Sequence, residues 1–131
     1  MILNNFRSII LFITLFYLVG CQSEDSLKPM TFQEIYPDNL SDVTKIEIRQ
    51  GGGELKTITD LEIIDDWIDS IKDIIFEPDE NQEGRVGYLY SVKLFEENDV
   101  KIFFDTSEIG DYYYRSNNQI VERIDKLFVE S

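Results

Sequence analysis

From residue 43 to residue 129 the apolar side chains switch between a period of two and a period of three to four, and the links between neighbouring two-period stretches are short. That pattern restricts the chain to a sheet with helices laid on it. Residues 43–50 (VTKIEIRQ) alternate, with Ile46 and Ile48 on one side and Lys45, Glu47 and Arg49 on the other. This is the signature of a half-buried strand. Gly51, Gly52 and Gly53 follow, and residues 54–59 (ELKTIT) read as the return strand. No Lys-Ser/Thr pair follows the glycines and no helix starts directly after them, so they read as a hairpin tip and not as a phosphate loop.

Leu61, Ile64, Ile68, Ile71 and Ile75 then recur at helical spacing, with Trp67 beside them. A capping box of Thr59 and Glu62 predicts a helix over about 60–75, ended by Pro78. Residues 77–87 are a polar loop. Residues 88–96 (YLYSVKLFE) place Tyr88, Tyr90, Val92 and Leu94 on one face, and residues 100–105 (VKIFFD) do the same with Val100, Ile102 and Phe104. Their short connection makes them an antiparallel hairpin. Residues 111–115 (DYYYR) form a short aromatic strand. Ser116 to Gln119 is a second capping-box pattern, and Ile120, Val121, Ile124, Leu127 and Phe128 form a second helical stripe. The order β-β-α-β-β-β-α predicts an α+β two-layer sandwich, with an antiparallel sheet of about five strands and both helices on one face.

Residues 1–7 carry one positive charge, Arg7, and residues 8–19 (SIILFITLFYLV) are almost wholly apolar. As a helix the apolar run spans about 18 Å at ~1.5 Å per residue, well short of the ~30 Å hydrocarbon core. A short basic start, a short apolar run and small residues behind it have the layout of a secretory signal peptide. Leu18-Val19-Gly20-Cys21 resembles the lipobox of bacterial lipoproteins. The resemblance implies that diacylglycerol is attached to the Cys21 thiol, that residues 1–20 are removed, and that the mature protein is held to the extracytoplasmic side of the cell membrane. More than one acyl chain is needed for stable anchoring. Cys21 is the only cysteine, so the mature fold is expected to stand without disulfides.

Residues 22–42 carry Pro29 and Pro37 and no sustained period, and they read as a tether onto which Phe32, Ile35 and Tyr36 can dock. The organisation expected is therefore a signal peptide at 1–20, a lipidated cysteine and tether at 21–42, and one domain at 43–131. The pattern over residues 43–129 is also similar to small YhfM-like lipoproteins of Gram-positive bacteria, a family of unknown function. That likeness implies the same fold and location and carries over no catalytic residue.

The chain has a net charge of −14, with 12 basic and 26 acidic residues and no histidine. The charge argues against nucleic acid as a partner. The missing histidine removes His-based triads and His metal sites. Ile, Leu, Val and Phe still make up 33 of the 111 residues from Cys21 onward, enough for a folded core.

Three features carry candidate chemistry. Asp79, Asn81, Glu83 and Gly84 resemble the opening of a calcium loop. Glu83 is longer than the usual fifth-position ligand, and Tyr90 stands where the bidentate carboxylate belongs. Any Ca²⁺ site there would be of the ~10⁻⁴–10⁻³ M class. Tyr112, Tyr113 and Tyr114 are candidates for a contact surface, since tyrosine favours interfaces. The first helix carries Glu62, Asp65, Asp66, Asp69 and Asp73 on its polar face, read as a solvated surface. No conventional base, Ser-x-x-Lys motif or cofactor motif is present. The sequence therefore reads as a non-enzymatic, membrane-anchored binding module with an envelope protein as partner. Three alternatives stay open: an immunity-type lipoprotein that neutralises a basic toxin, a Ca²⁺-responsive domain, and an envelope enzyme using paired carboxylates.

Overall fold

The computed structural model describes residues 27–84 and 87–131. The signal peptide and Cys21 expected from the sequence lie outside them, as do Arg85 and Val86.

The chain enters through a two-residue strand, β1 (Met30–Thr31), a single helical turn, α1 (Phe32–Ile35), and a 3-10 turn at Leu40–Asp42. β2 (Lys45–Gln50) and β3 (Leu55–Ile58) form the first hairpin. Helix α2 (Leu61–Ile71) and strand β4 (Ile75–Phe76) lead to the second hairpin, β5 (Tyr90–Glu96) and β6 (Asp99–Asp105). Two short strands, β7 (Glu108–Ile109) and β8 (Tyr112–Tyr113), and helix α3 (Asn118–Glu130) complete the chain. The main sheet is antiparallel in the order β3-β2-β5-β6-β7-β8, and β1 pairs with β4 in a second, two-stranded sheet. This is the expected two-layer α+β arrangement. The sheet has six strands and not five, because the residues after β6 fold as two short strands.

Register explains the core. Ile58, Ile46, Leu94 and Ile102 form one rung across the inner face, and Ile48, Val92, Phe104 and Ile109 form the next. All eight side chains are buried. Ile64, Trp67, Ile68 and Ile71 of α2 and Ile120, Ile124, Leu127 and Phe128 of α3 close over them in one apolar cluster. The Trp67 indole Nε1 donates to the Arg123 carbonyl at 2.9 Å and ties the two helices together. The outer face carries Lys45, Glu47, Arg49, Lys93 and Phe103. Phe95 also lies outside the core cluster and is covered by the Lys45 ammonium, 4.0 Å from its ring centre.

Several local expectations are corrected. Helix α2 is capped by Asp60 and not by Thr59: the Asp60 carboxylate accepts from the Glu62 and Ile63 amides at 3.0 and 3.3 Å. The helix stops at Ile71 and not at Ile75. Past its end, the Lys72 and Ile74 carbonyls accept from the Gln33 and Phe32 amides at 3.0 and 3.1 Å, and the chain turns so that Ile75–Phe76 pair with Met30–Thr31. Val100 is exposed, unlike Ile102 and Phe104. Leu94 opposes Ile102 while Phe95 opposes Val100, so Lys101 is an extra residue in β6 and a β-bulge turns Val100 to the other face. Tyr88 precedes β5 and is exposed, so it does not share the buried face of Tyr90.

The segment expected as a tether belongs to the folded unit from Met30 onward. Thr31 and Glu34 form a reciprocal capping box, and Phe32, Tyr36 and Leu40 are buried in the core. At the other end of the chain, α3 is capped by Asn117 and not by Ser116. The Asn117 side-chain oxygen accepts from the Gln119 and Ile120 amides, and its Nδ2 donates to the Ile75 carbonyl at 3.1 Å. Asn117→Ala is expected to cost about 0.5–2 kcal/mol, the usual range for a lost N-cap. Urea unfolding of the full chain measures it, and an unchanged midpoint would mean that the cap is not needed.

Candidate functional site

The tyrosine triplet lies at the end of the sheet beside the entering chain. Gly110, at φ 57°, makes the tight turn between β7 and β8, a conformation that suits glycine. Register then sets Tyr112 opposite Ile109 and Tyr113 opposite Glu108. The three rings have different fates. Tyr112 is 51% exposed, Tyr113 is half-buried, and Tyr114 is buried at 3%. The Tyr114 ring meets Phe76 edge-on at 4.9 Å, and its hydroxyl donates to the Asp105 carbonyl. Burial, and then the nearby Asp105 charge, push this phenol well above its ordinary range.

Residues 77–79 run antiparallel to residues 113–115. The Arg115 amide donates to the Glu77 carbonyl at 2.7 Å, and the Asp79 amide donates to the Tyr113 carbonyl at 3.0 Å. Gln82 extends the contact. Its Nε2 donates to the Asp79 and Tyr113 carbonyls at 2.6 and 2.8 Å, and its Oε1 accepts from the Tyr113 amide at 2.9 Å. A side-chain amide thus stands in for one more strand residue and holds the Asp79 loop over the tyrosine strand. Gln82 was not singled out from the sequence, because its partner lies 31 positions later.

Between these pieces lies an apolar cleft of about 210 Å³. It is lined by Leu27, Lys28, Met30 and Ile35 from the entering chain, by Phe76 and Pro78 from the segment after α2, and by Ile109, Tyr112, Tyr113 and Tyr114 from the end of the sheet. The interaction candidates are therefore brought together, along with residues from two other segments that carry no sequence signal of their own. The lining holds no carboxylate, and its one formal charge is Lys28.

In the Asp79 loop, Asp79 Oδ1 accepts from the Asn81 amide at 3.0 Å, and Asn81 Oδ1 accepts from the Glu83 amide at 2.9 Å. These two calcium-candidate side chains thus brace successive turns of the loop. Glu83 is exposed. Among the described residues no group of three or more Asp, Glu or Cys is arranged to hold a metal ion.

The acidic residues of α2 face elsewhere. Asp65 lines a separate cavity with Asp42, Glu96, Glu97, Asp99 and Lys101. Lys101 reaches Asp38 at 3.0 Å and Glu96 at 3.6 Å, and its hydrogen bond to Asp38 holds its ammonium above the usual range. The Tyr36 hydroxyl donates to Glu96 Oε1 at 2.9 Å. No residue of the Asp79 loop lines this cavity. No helix among the described residues is long and apolar enough to cross a membrane.

Comparison of the chain with family models, with curated proteins and with solved structures gave no match.

Proposed function

We propose that this chain is a lipid-anchored extracytoplasmic binding module of the cell envelope, with no catalytic role, and that the tyrosine cleft is its working surface. The observation that carries the reading is the cleft itself. It is apolar, it gathers three tyrosines, and its wall begins at Leu27. Leu27 lies six residues after the lipobox cysteine. At ~3.3–3.6 Å per extended residue, the cleft stands within about 20 Å of a lipidated Cys21. A partner would then be met close to the membrane surface.

Amphipathic tyrosines around an apolar hollow suit recognition of another protein's side chain. The acidic balance of the chain supports the same reading, because it steers partners of opposite charge.

Metabolic labelling with an alkyne analogue of palmitate tests the anchor. Full-length protein is expected to take the label and to sediment with membranes, while Cys21→Ser loses the label and is no longer held by a lipid. Label retained in Cys21→Ser would overturn the anchor. A photo-crosslinking amino acid at Tyr112 tests the surface in intact cells. It is expected to trap one reproducible envelope protein, whereas the same group at Phe103 on the outer sheet face traps none. Equal patterns at the two positions would remove the cleft from the reading.

A further inference from the structure

We propose that the cleft takes a cationic peptide segment of the partner, in which one large apolar side chain enters between Tyr112 and Leu27 while lysines or arginines on either side meet the acidic residues around the walls. This inference rests on the binding-module reading and names the chemistry of its partner.

Size comes first. About 210 Å³ is below the ~300–1,000 Å³ typical of sites for drug-sized ligands and cofactors. It matches one large side chain set into a pocket, the usual form of a hot spot.

Backbone geometry comes second. The outer edge of β8 is already occupied at Tyr113, whose amide donates to Gln82 and whose carbonyl accepts from Asp79 and Gln82. Tyr112 is paired with Ile109 across the turn. Strand addition at this edge is therefore blocked, and the partner is recognised through side chains.

Charge comes third, and it decides between a peptide and a lipid. Glu77, Glu108 and Asp111 are chain neighbours of lining residues, and Glu80 follows two residues after Pro78. Among the described residues, Arg115 lies 3.6 Å from Glu77 and 3.8 Å from Glu80. Lys28 lies close enough to Glu34 to add to the effect of the Thr31 amide, which holds that carboxyl below its usual range. Among the described residues next to the lining, Glu77, Glu80, Glu108 and Asp111 outnumber Lys28 and Arg115, a balance that repels anionic lipid headgroups and attracts a basic segment. The net charge of −14 acts in the same direction at longer range.

The test uses the full lipidated chain in phosphatidylcholine nanodiscs and three fluorescent heptapeptides. One has a phenylalanine between two pairs of lysines, one replaces the lysines by glutamates, and one replaces the phenylalanine by glycine. The lysine–phenylalanine peptide is expected to bind at least about tenfold more tightly than either control, and about tenfold more weakly when salt rises from about 50 to about 500 mM. Tyr112→Ala is expected to weaken binding at least about fivefold without moving the thermal midpoint, because that ring is half exposed. The double change Glu77→Gln with Asp111→Asn is expected to reduce both affinity and salt dependence while leaving the tyrosines in place.

Equal binding of the glutamate peptide, equal binding of the glycine peptide, or no saturation of any peptide overturns the proposal. So does binding of the Cys21→Ser chain to anionic vesicles that Tyr112→Ala abolishes, since the occupant would then be lipid. If all peptides fail while the crosslinker at Tyr112 still traps an envelope protein, the peptide chemistry falls and the binding-module reading stands. If both fail, both fall.

Discussion

Phe32→Ala is expected to destabilise the fold by about 3–5 kcal/mol, the range for deleting a buried aromatic ring. Phe32 is 0% exposed, and its ring lies 5.1 Å from Phe104 and 6.1 Å from Phe76. Removing it leaves a cavity between the sheet and the entering chain. The backbone there is fixed on both sides. The Thr31–Glu34 box holds the start of α1, and the Phe32 amide donates to the Ile74 carbonyl at 3.1 Å. The surroundings therefore have little freedom to collapse into the gap. Urea unfolding of the full chain and of the variant gives the difference. A true tether residue would change stability by no more than about 0.5 kcal/mol, and that result would sink the claim that the folded unit includes Met30–Asp42.

A second large effect is expected at high pH. Three phenols with an ordinary value of 10.0 are held above it. For Tyr114 and Tyr36 burial is the leading cause, and for Tyr90 it is the hydrogen bond to Asp125, 2.6 Å long. In each case ionisation would set a phenolate against an acceptor: the Asp105 carbonyl, Glu96 or Asp125. The folded state therefore keeps protons that the unfolded chain gives up. Their stabilisation is complete below pH ~10 and falls as pH rises through the raised folded values. Thermal midpoints are expected to hold from neutral pH to about 9.5 and to fall steeply above 10. Lys72 and Lys101, also raised, lose their partners' benefit in the same direction, so the phenols must be separated from them. Tyr114→Phe does so. It lowers the neutral midpoint by removing the hydroxyl donor and makes the alkaline fall shallower. An unchanged alkaline slope would refute the assignment to Tyr114.

The inner face of the sheet was legible because alternation and burial coincide at Ile46, Ile48, Val92, Leu94, Ile102 and Phe104. Both long helices were legible from their apolar stripes. Their ends were not. Thr59 and Asp60 are both plausible caps by residue type, and only the fold shows that Asp60 reaches two amides. Ile75 continues the helical spacing, yet β1 draws it into a strand and leaves it exposed. A two-residue strand and a one-turn helix are too short to carry a period, which is why residues 30–35 read as a tether. The tyrosines could be singled out by composition. The cleft could not, since its remaining walls come from segments 27–35 and 76–78, distant in sequence and unremarkable in type.

The attachment of β1 has a mechanical consequence. A pull on the chain from its N-terminal end reaches the fold first where Met30–Thr31 pair with Ile75–Phe76, a ladder that the Phe32 and Gln33 amides continue to the Ile74 and Lys72 carbonyls. The six-stranded sheet lies behind that ladder in the chain. Leu27, Lys28 and Met30, three of the residues that line the cleft, stand on the loaded side or at the joint itself. Parting of that ladder therefore opens the cleft while the hydrogen-bonded ladders of the six-stranded sheet stay in place.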